Sequence, residues 1–133
     1  MQSTQSRIFV IPGARDLPQA FGVAETVGRF RSDDDAKAFV KEVGKRIAKC
    51  PDANLSAKID QEQAVKSGDD GGTAWRVGLE LNKKTRVYYR MAVVRQGSDV
   101  AQVTFTPSGR YDISQKEFVA LVTRAGQRLV YLD

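Results

Sequence analysis

The chain has 133 residues, the size of one domain, with 41% apolar and 28% charged residues and a formal net charge of +5. These are globular proportions, no apolar run approaches the roughly 20 residues of a membrane span, and the modest basic charge is what ordinary solubility requires. There is no histidine and one cysteine, Cys50, which removes the commonest general base, the commonest zinc ligand and any internal disulfide.

The chain opens on MQSTQSR, polar and without the apolar core of a secretory signal. Residues 1–21 are expected to form an arm and loop, loose over 1–7. A short apolar run at 8–11, which Pro12-Gly13 stops, makes an edge strand or a tucked arm, and Phe21 anchors the loop. Residues 22–133 then make a single domain. The abrupt polar start favours a domain cut from a longer chain.

Residues 22–31 alternate as a strand, with Val23, Glu25, Val27 and Arg29 on one side and Ala24, Thr26, Gly28 and Phe30 on the other. A helix follows from Ser32. The serine oxygen can cap the amide three residues on while Asp35 reaches back. Asp33, Asp34 and Asp35 suit the positive end of the helix dipole, so the triplet reads as capping rather than as a metal site. Ala36, Phe39, Val40, Val43 and Ile47 form the apolar stripe, with Cys50 at its end as a small hydrophobe. Lys41, Lys45 and Lys49 lie opposite, and Pro51 is expected to stop the helix.

Residues 55–65 alternate weakly as a strand, and 67–72 (SGDDGG) read as a turn. Residues 73–81 alternate cleanly, with Trp75, Val77, Leu79 and Leu81 inward. Residues 85–95 place Val87, Tyr89, Met91 and Val93 on one face and Arg86, Tyr88 and Arg90 on the other. Residues 100–106 place Ala101, Val103 and Phe105 inward. Short turns between these runs imply antiparallel hairpins. After a loop over 107–113, Ser114 and Glu117 form a second capping box ahead of a helix with Phe118, Leu121, Val122, Ala125 and Leu129 as its stripe.

The segments 32–47 and 114–129 follow one pattern, identical at five of sixteen positions, each with a glycine at the same phase (Gly44, Gly126). Glycine inside a helix costs roughly 0.5–1 kcal/mol relative to alanine, so both suggest close backbone approach. The expected fold class is α+β: a two-layer sandwich of about five antiparallel strands with both helices on one face, in the order β-α-β-β-β-β-α.

The sheet face without helices would display Arg76, Glu80, Arg86, Tyr88 and Arg90. Arginine beside tyrosine can bind anions or stack on bases. On a half-exposed sheet, though, such residues more often solvate and pair across strands, and no nucleic acid is expected as a partner. No nucleophile elbow, paired metal ligands or phosphate loop occurs, so neither catalysis, a metal nor a cofactor is expected.

The stretch VGRFRSDDDAKAFVKEVGKRIAKCPDANL resembles the extracellular sensor domains of actinobacterial PknH-like Ser/Thr kinases and their lipoprotein relatives. The residues that carry the likeness are Phe30, Ser32, Ala36, Phe39 and Cys50. Tyr88, Tyr89 and Arg90, then Gly97, Val103 and Phe105, and then FVALVTRAGQRL extend it over residues 22–130. This chain departs from the family in having Ile47 where a tryptophan is common, and in its single cysteine where the family pairs them. The resemblance implies a two-layer domain with a ligand-receiving groove and no catalysis.

Together these readings predict a non-enzymatic sensor or ligand-binding domain of a membrane-linked regulatory protein. It would be extracytoplasmic if joined to a membrane segment upstream, and cytoplasmic otherwise. The expected groove lies between the exposed sheet face and the loops at 69–72 and 107–111, with Trp75, Arg76, Tyr88, Arg90 and Tyr111 as contacts for a small ligand. The alternative is an interaction module that docks a partner protein through the same sheet or a helix face.

Overall fold

The computed structural model describes residues 3–9, 22–53, 57–68, 70–108 and 112–131. In chain order these form β1 (Ser3–Phe9), β2 (Gly22–Arg29), α1 (Asp33–Ala53), β3 (Ala57–Ser67), β4 (Asp70–Asn82), β5 (Thr85–Gln96), β6 (Asp99–Thr106), α2 (Gln115–Arg128) and a 3-10 turn over Leu129–Tyr131. The fold is α+β: one sheet in the order β1-β2-β6-β5-β4-β3, antiparallel at every pairing, with two helices.

The four strands β3 to β6 run as a meander because each link is tight. Gly68 (φ 59°) and Gly97 (φ 61°) supply left-handed turn positions, and the Lys84 amide donates to Asn82 Oδ1 at 2.9 Å. The turn over 67–72 is narrower than the sequence suggests, since Ser67 closes β3 and Asp70, Gly71 and Gly72 open β4. A Cβ on Gly71 would strike the Val65 carbonyl, and one on Gly72 the Val93 carbonyl. These glycines therefore serve close strand approach rather than flexibility.

The sheet has six strands rather than about five. Residues 3–7, expected to be loose, pair in register with β2 from Ser3↔Arg29 to Phe9↔Val23. Without β1 the outer edge of β2 would leave its backbone groups unpaired; pairing with β1, whose Ser3, Thr4, Gln5 and Ser6 are exposed, satisfies them. Ser6 and Thr26 hydroxyls meet at 2.9 Å across the pair. The segment 10–21, with its expected anchor Phe21, lies outside the described residues.

The two helices do not share a face, which corrects the two-layer expectation. α1 buries Ala36 and Ile47 against Trp75, Val93 and Val100. α2 buries Phe118, Val122 and Ala125, with Leu129 just beyond, against Ala74, Ala92, Val94, Ala101, Val103 and Phe105. Successive strand residues point to opposite sides, so β5 sends Met91 and Val93 to α1 and Ala92 and Val94 to α2. The run Met91-Ala92-Val93-Val94 is the sequence mark of a strand covered on both faces. The layers are α1, sheet and α2.

The two helices begin alike. The Asp35 amide donates to Ser32 Oγ at 3.1 Å. At α2 the full capping box forms: the Glu117 amide to Ser114 Oγ at 3.1 Å, and the Ser114 amide to Glu117 Oε2 at 2.7 Å. α1 runs through Pro51 to Ala53 instead of stopping at it. The proline falls in the last turn, with only two helical residues after it.

Candidate functional site

The sequence-expected contacts divide between the two sides of the sheet. Trp75 is 5% exposed, in the core beneath α1. Arg76, Tyr88 and Arg90 lie on the other side, around the start of α2. Tyr111 falls outside the described residues. The two loops expected to bound one groove sit at opposite ends of the sheet: Asp70 pairs with Ser67 near the β5–β6 turn, whereas Pro107 follows Thr106, whose partner is Gly22. A meander alternates its turns between ends, so segments an odd number of strands apart separate in this way.

What forms instead around Arg76, Tyr88 and Arg90 is a closed polar lattice. Arg76 donates to both Asp60 oxygens, Nε at 2.7 Å and Nη2 at 2.5 Å. Its guanidinium carbon lies 4.4 Å from the centroid of the Tyr88 ring. That ring passes over Gly78, where a Cβ would stand 2.9 Å from it. Arg90, 7% exposed, donates to the Ile113 carbonyl at 3.1 Å, Gln61 Oε1 at 2.9 Å and Gln115 Oε1 at 2.6 Å. Gln115 returns a bond from Nε2 to the Gln61 carbonyl at 2.8 Å.

Gln61 carries a left-handed backbone (φ 51°) at the β3 bulge, a conformation that costs a side-chain-bearing residue roughly 1–2 kcal/mol. The Arg90 and Gln115 bonds hold it there and tie the bulge to the head of α2. The Asp60 carboxyl is held below its ordinary range, chiefly by the hydrogen bond from Arg76. That same bond raises Arg76, while burial lowers Arg90. The principal donors of these two arginines have acceptors inside the molecule, so the lattice braces the fold.

The recess sequence reasoning missed lies along the other end of α2. A cavity of about 200 Å³ opens between α2 and the β2–β6 pair, lined by Val23, Glu25, Val103, Leu121, Arg124, Ala125 and Arg128. Strand alternation puts Glu25 on the α2 side with Val23 and Val27, opposite Val103. Its side chain is 7% exposed, and Arg128 Nη2 approaches its Oε2 at 3.6 Å. Arg124 has no ion-pair partner among the described residues. A second, shallower recess of about 590 Å³ continues past Arg124 and Arg128 towards Ser67, Gln96, Gln127 and Tyr131. The signal for this site was present in the sequence: a glutamate in the apolar phase of a strand, and two arginines four residues apart beside the apolar stripe of a helix.

The cleft can hold a small molecule whose apolar part meets Val23, Val103, Leu121 and Ala125 and whose polar part meets the arginines and Glu25. Among the described residues, no group of three or more His, Cys, Asp or Glu side chains could hold a metal ion. No helix there is long and apolar enough to cross a membrane.

No family model matches the chain, and no curated protein sequence matches it. Among solved structures it is similar to PA94 from Pseudomonas aeruginosa, a protein of unknown function named as a candidate regulator, at 15% identity and a TM-score of 0.50. The match covers 96% of this chain and 83% of that one, and at this identity what it establishes is a shared fold.

Proposed function

We propose that this chain is a non-enzymatic recognition domain of a regulatory protein, and that it takes a small ligand in the cleft between α2 and the β2–β6 pair. The observation that carries the reading is Glu25, a carboxylate almost wholly withdrawn from water on the wall of an apolar recess, with Arg128 as its nearby cation. An ionised group in such a place needs compensation from a partner, and the recess leaves room for further contacts on the same groups. The fold shared with a candidate regulator is compatible with this role. On the resemblance to PknH-like sensor domains, the chain would lie outside the cytoplasm if joined to a membrane segment, and in the cytoplasm otherwise.

The direct test is a ligand-observed NMR screen of a small-molecule library against the wild-type chain and Leu121→Trp, which fills the cavity. Hits that disappear in Leu121→Trp would support the cleft as the site. Equal hit lists for the two proteins would place recognition elsewhere. Native mass spectrometry of the purified chain would add a retained mass where affinity is high. The location is tested by fusing the full-length protein to a phosphatase that is active only outside the cytoplasm.

A second reading, docking of a partner protein, is favoured by Val130 and Tyr131, which are 56% and 82% exposed beside the larger recess. A double Val130→Ser, Tyr131→Ser variant that loses no partner in cross-linking from cell extract would set this reading aside.

A further inference from the structure

We infer that the ligand class of the α2 cleft is a small aryl carboxylate: one aromatic ring carrying a short acidic arm. This rests on the cleft being the binding site.

Three features select the class. The first is size. The cavity is about 200 Å³, and dry cavities of roughly 150 Å³ lined by aliphatic side chains accept benzene, so one ring and a short chain fill its apolar part. The second is the wall: Val23, Val103, Leu121 and Ala125 offer a ring apolar contact along its length. The third is charge. Arg124 and Arg128 line the cleft with one carboxylate, Glu25, and Arg128 approaches Glu25 at 3.6 Å. One positive charge is left over, on Arg124, which has no ion-pair partner among the described residues. A guanidinium offers parallel N–H donors in the geometry of a carboxylate, so the arm of the ligand would bridge to Arg124 while Arg128 shields it from Glu25. A cationic ring compound could meet Glu25 only against the repulsion of both arginines.

The experiment titrates three probes of similar shape, phenylacetate, 2-phenylethanol and phenethylamine, into isotopically labelled protein and follows the amides of residues 23–25, 103 and 121–128. Phenylacetate is expected to shift these amides and to bind at least about tenfold more tightly than the alcohol, as loss of a charge-assisted hydrogen bond requires. Arg124→Gln should remove that preference by weakening phenylacetate far more than the alcohol, and Arg124→Lys should restore part of it. Alcohol or amine binding as tightly as phenylacetate in this cleft would overturn the ligand class and leave the site standing. If none of the three shifts the cleft amides, the class falls as well, and the fate of the site then rests on the Leu121→Trp screen. Thermal denaturation of each variant checks that a lost response does not come from a lost fold.

Discussion

α1 and α2 are built to one amphipathic pattern and pack to very different depths. α2 buries Phe118 and Val122 at 0% exposure, and its Gly126 sits so close to the sheet that a Cβ would lie 2.6 Å from Ser67 Oγ and 2.9 Å from Val94 Cγ2. α1, seven residues longer by its bounds, buries Ala36 and Ile47, leaves Phe39 at 37% exposure against Phe30, and has nothing within 4 Å of a Cβ on Gly44. The surfaces beneath them explain the contrast. α2 lies on Ala74, Ala92 and Ala101, small residues that let the helix backbone come near. α1 meets Trp75, Met91 and Ile59, whose bulk holds it off. An apolar stripe gives a helix a side to bury, and the size of the side chains it lands on decides how far.

The largest expected difference is at the phenylalanines. Phe118→Ala should cost about 3–5 kcal/mol in urea denaturation, whereas Phe39→Ala should cost about 1 kcal/mol. Equal losses would erase the contrast between the helices. The glycines should move stability in opposite directions: Gly126→Ala should lose about 1–2 kcal/mol to crowding against Ser67 and Val94, and Gly44→Ala should gain about 0.5–1 kcal/mol from helix propensity. A stabilised Gly126→Ala would mean that α2 can lift off the sheet freely. At the helix starts, Ser114→Ala should cost about 1 kcal/mol, measured in the same way, and more than Ser32→Ala, because only α2 closes the reciprocal box with its glutamate.

The smallest effect concerns the lattice at the head of α2. Asp60 has a folded pKa below its unfolded value, so its contribution is full above the unfolded value and is lost as pH falls through the folded one. Stability should therefore decline below about pH 4. Asp60→Asn should remove about 0.5–1 kcal/mol at neutral pH and flatten that acid decline. An unchanged acid limb in Asp60→Asn would mean that the Arg76 pair contributes nothing to anchoring β3.

Much of the fold was legible in the chain. The runs at 73–81, 85–95 and 100–106 alternate because one residue in two must point each way, and the observed strands β4, β5 and β6 contain them. Ser114 and Glu117 announced α2 through donors that every helix start leaves unpaired. The apolar run at 8–11 suggested an edge strand or a tucked arm, but the polar part of β1 over 3–7 was harder to foresee, because it carries no apolar phase and its place depends on the free edge of β2. Of the expected site, Arg76, Tyr88 and Arg90 do come together, since register aligns Arg76 with Arg90 and Gly78 with Tyr88. Their acceptors, Asp60 on β3, Gln61 at the bulge and Gln115 on α2, come from distant parts of the chain, so sequence could not tell an open anion site from a closed brace. Glu25 was visible as a charge in an apolar phase, but nothing local said that α2 would roof it.

Local chemistry thus determined the elements themselves: turn glycines, capping serines and the two- and 3.6-residue periods act over a few residues and need no distant partner. Tertiary structure alone decided which side of the sheet each helix covers, and with it which polar groups are braced and which line a cavity. The physical reason is that β4 and β5 carry apolar side chains on both faces. Each stripe could be satisfied on either face, and because β2 and β3 run parallel in the sheet the crossover between them through α1 has a handedness that limits the choice.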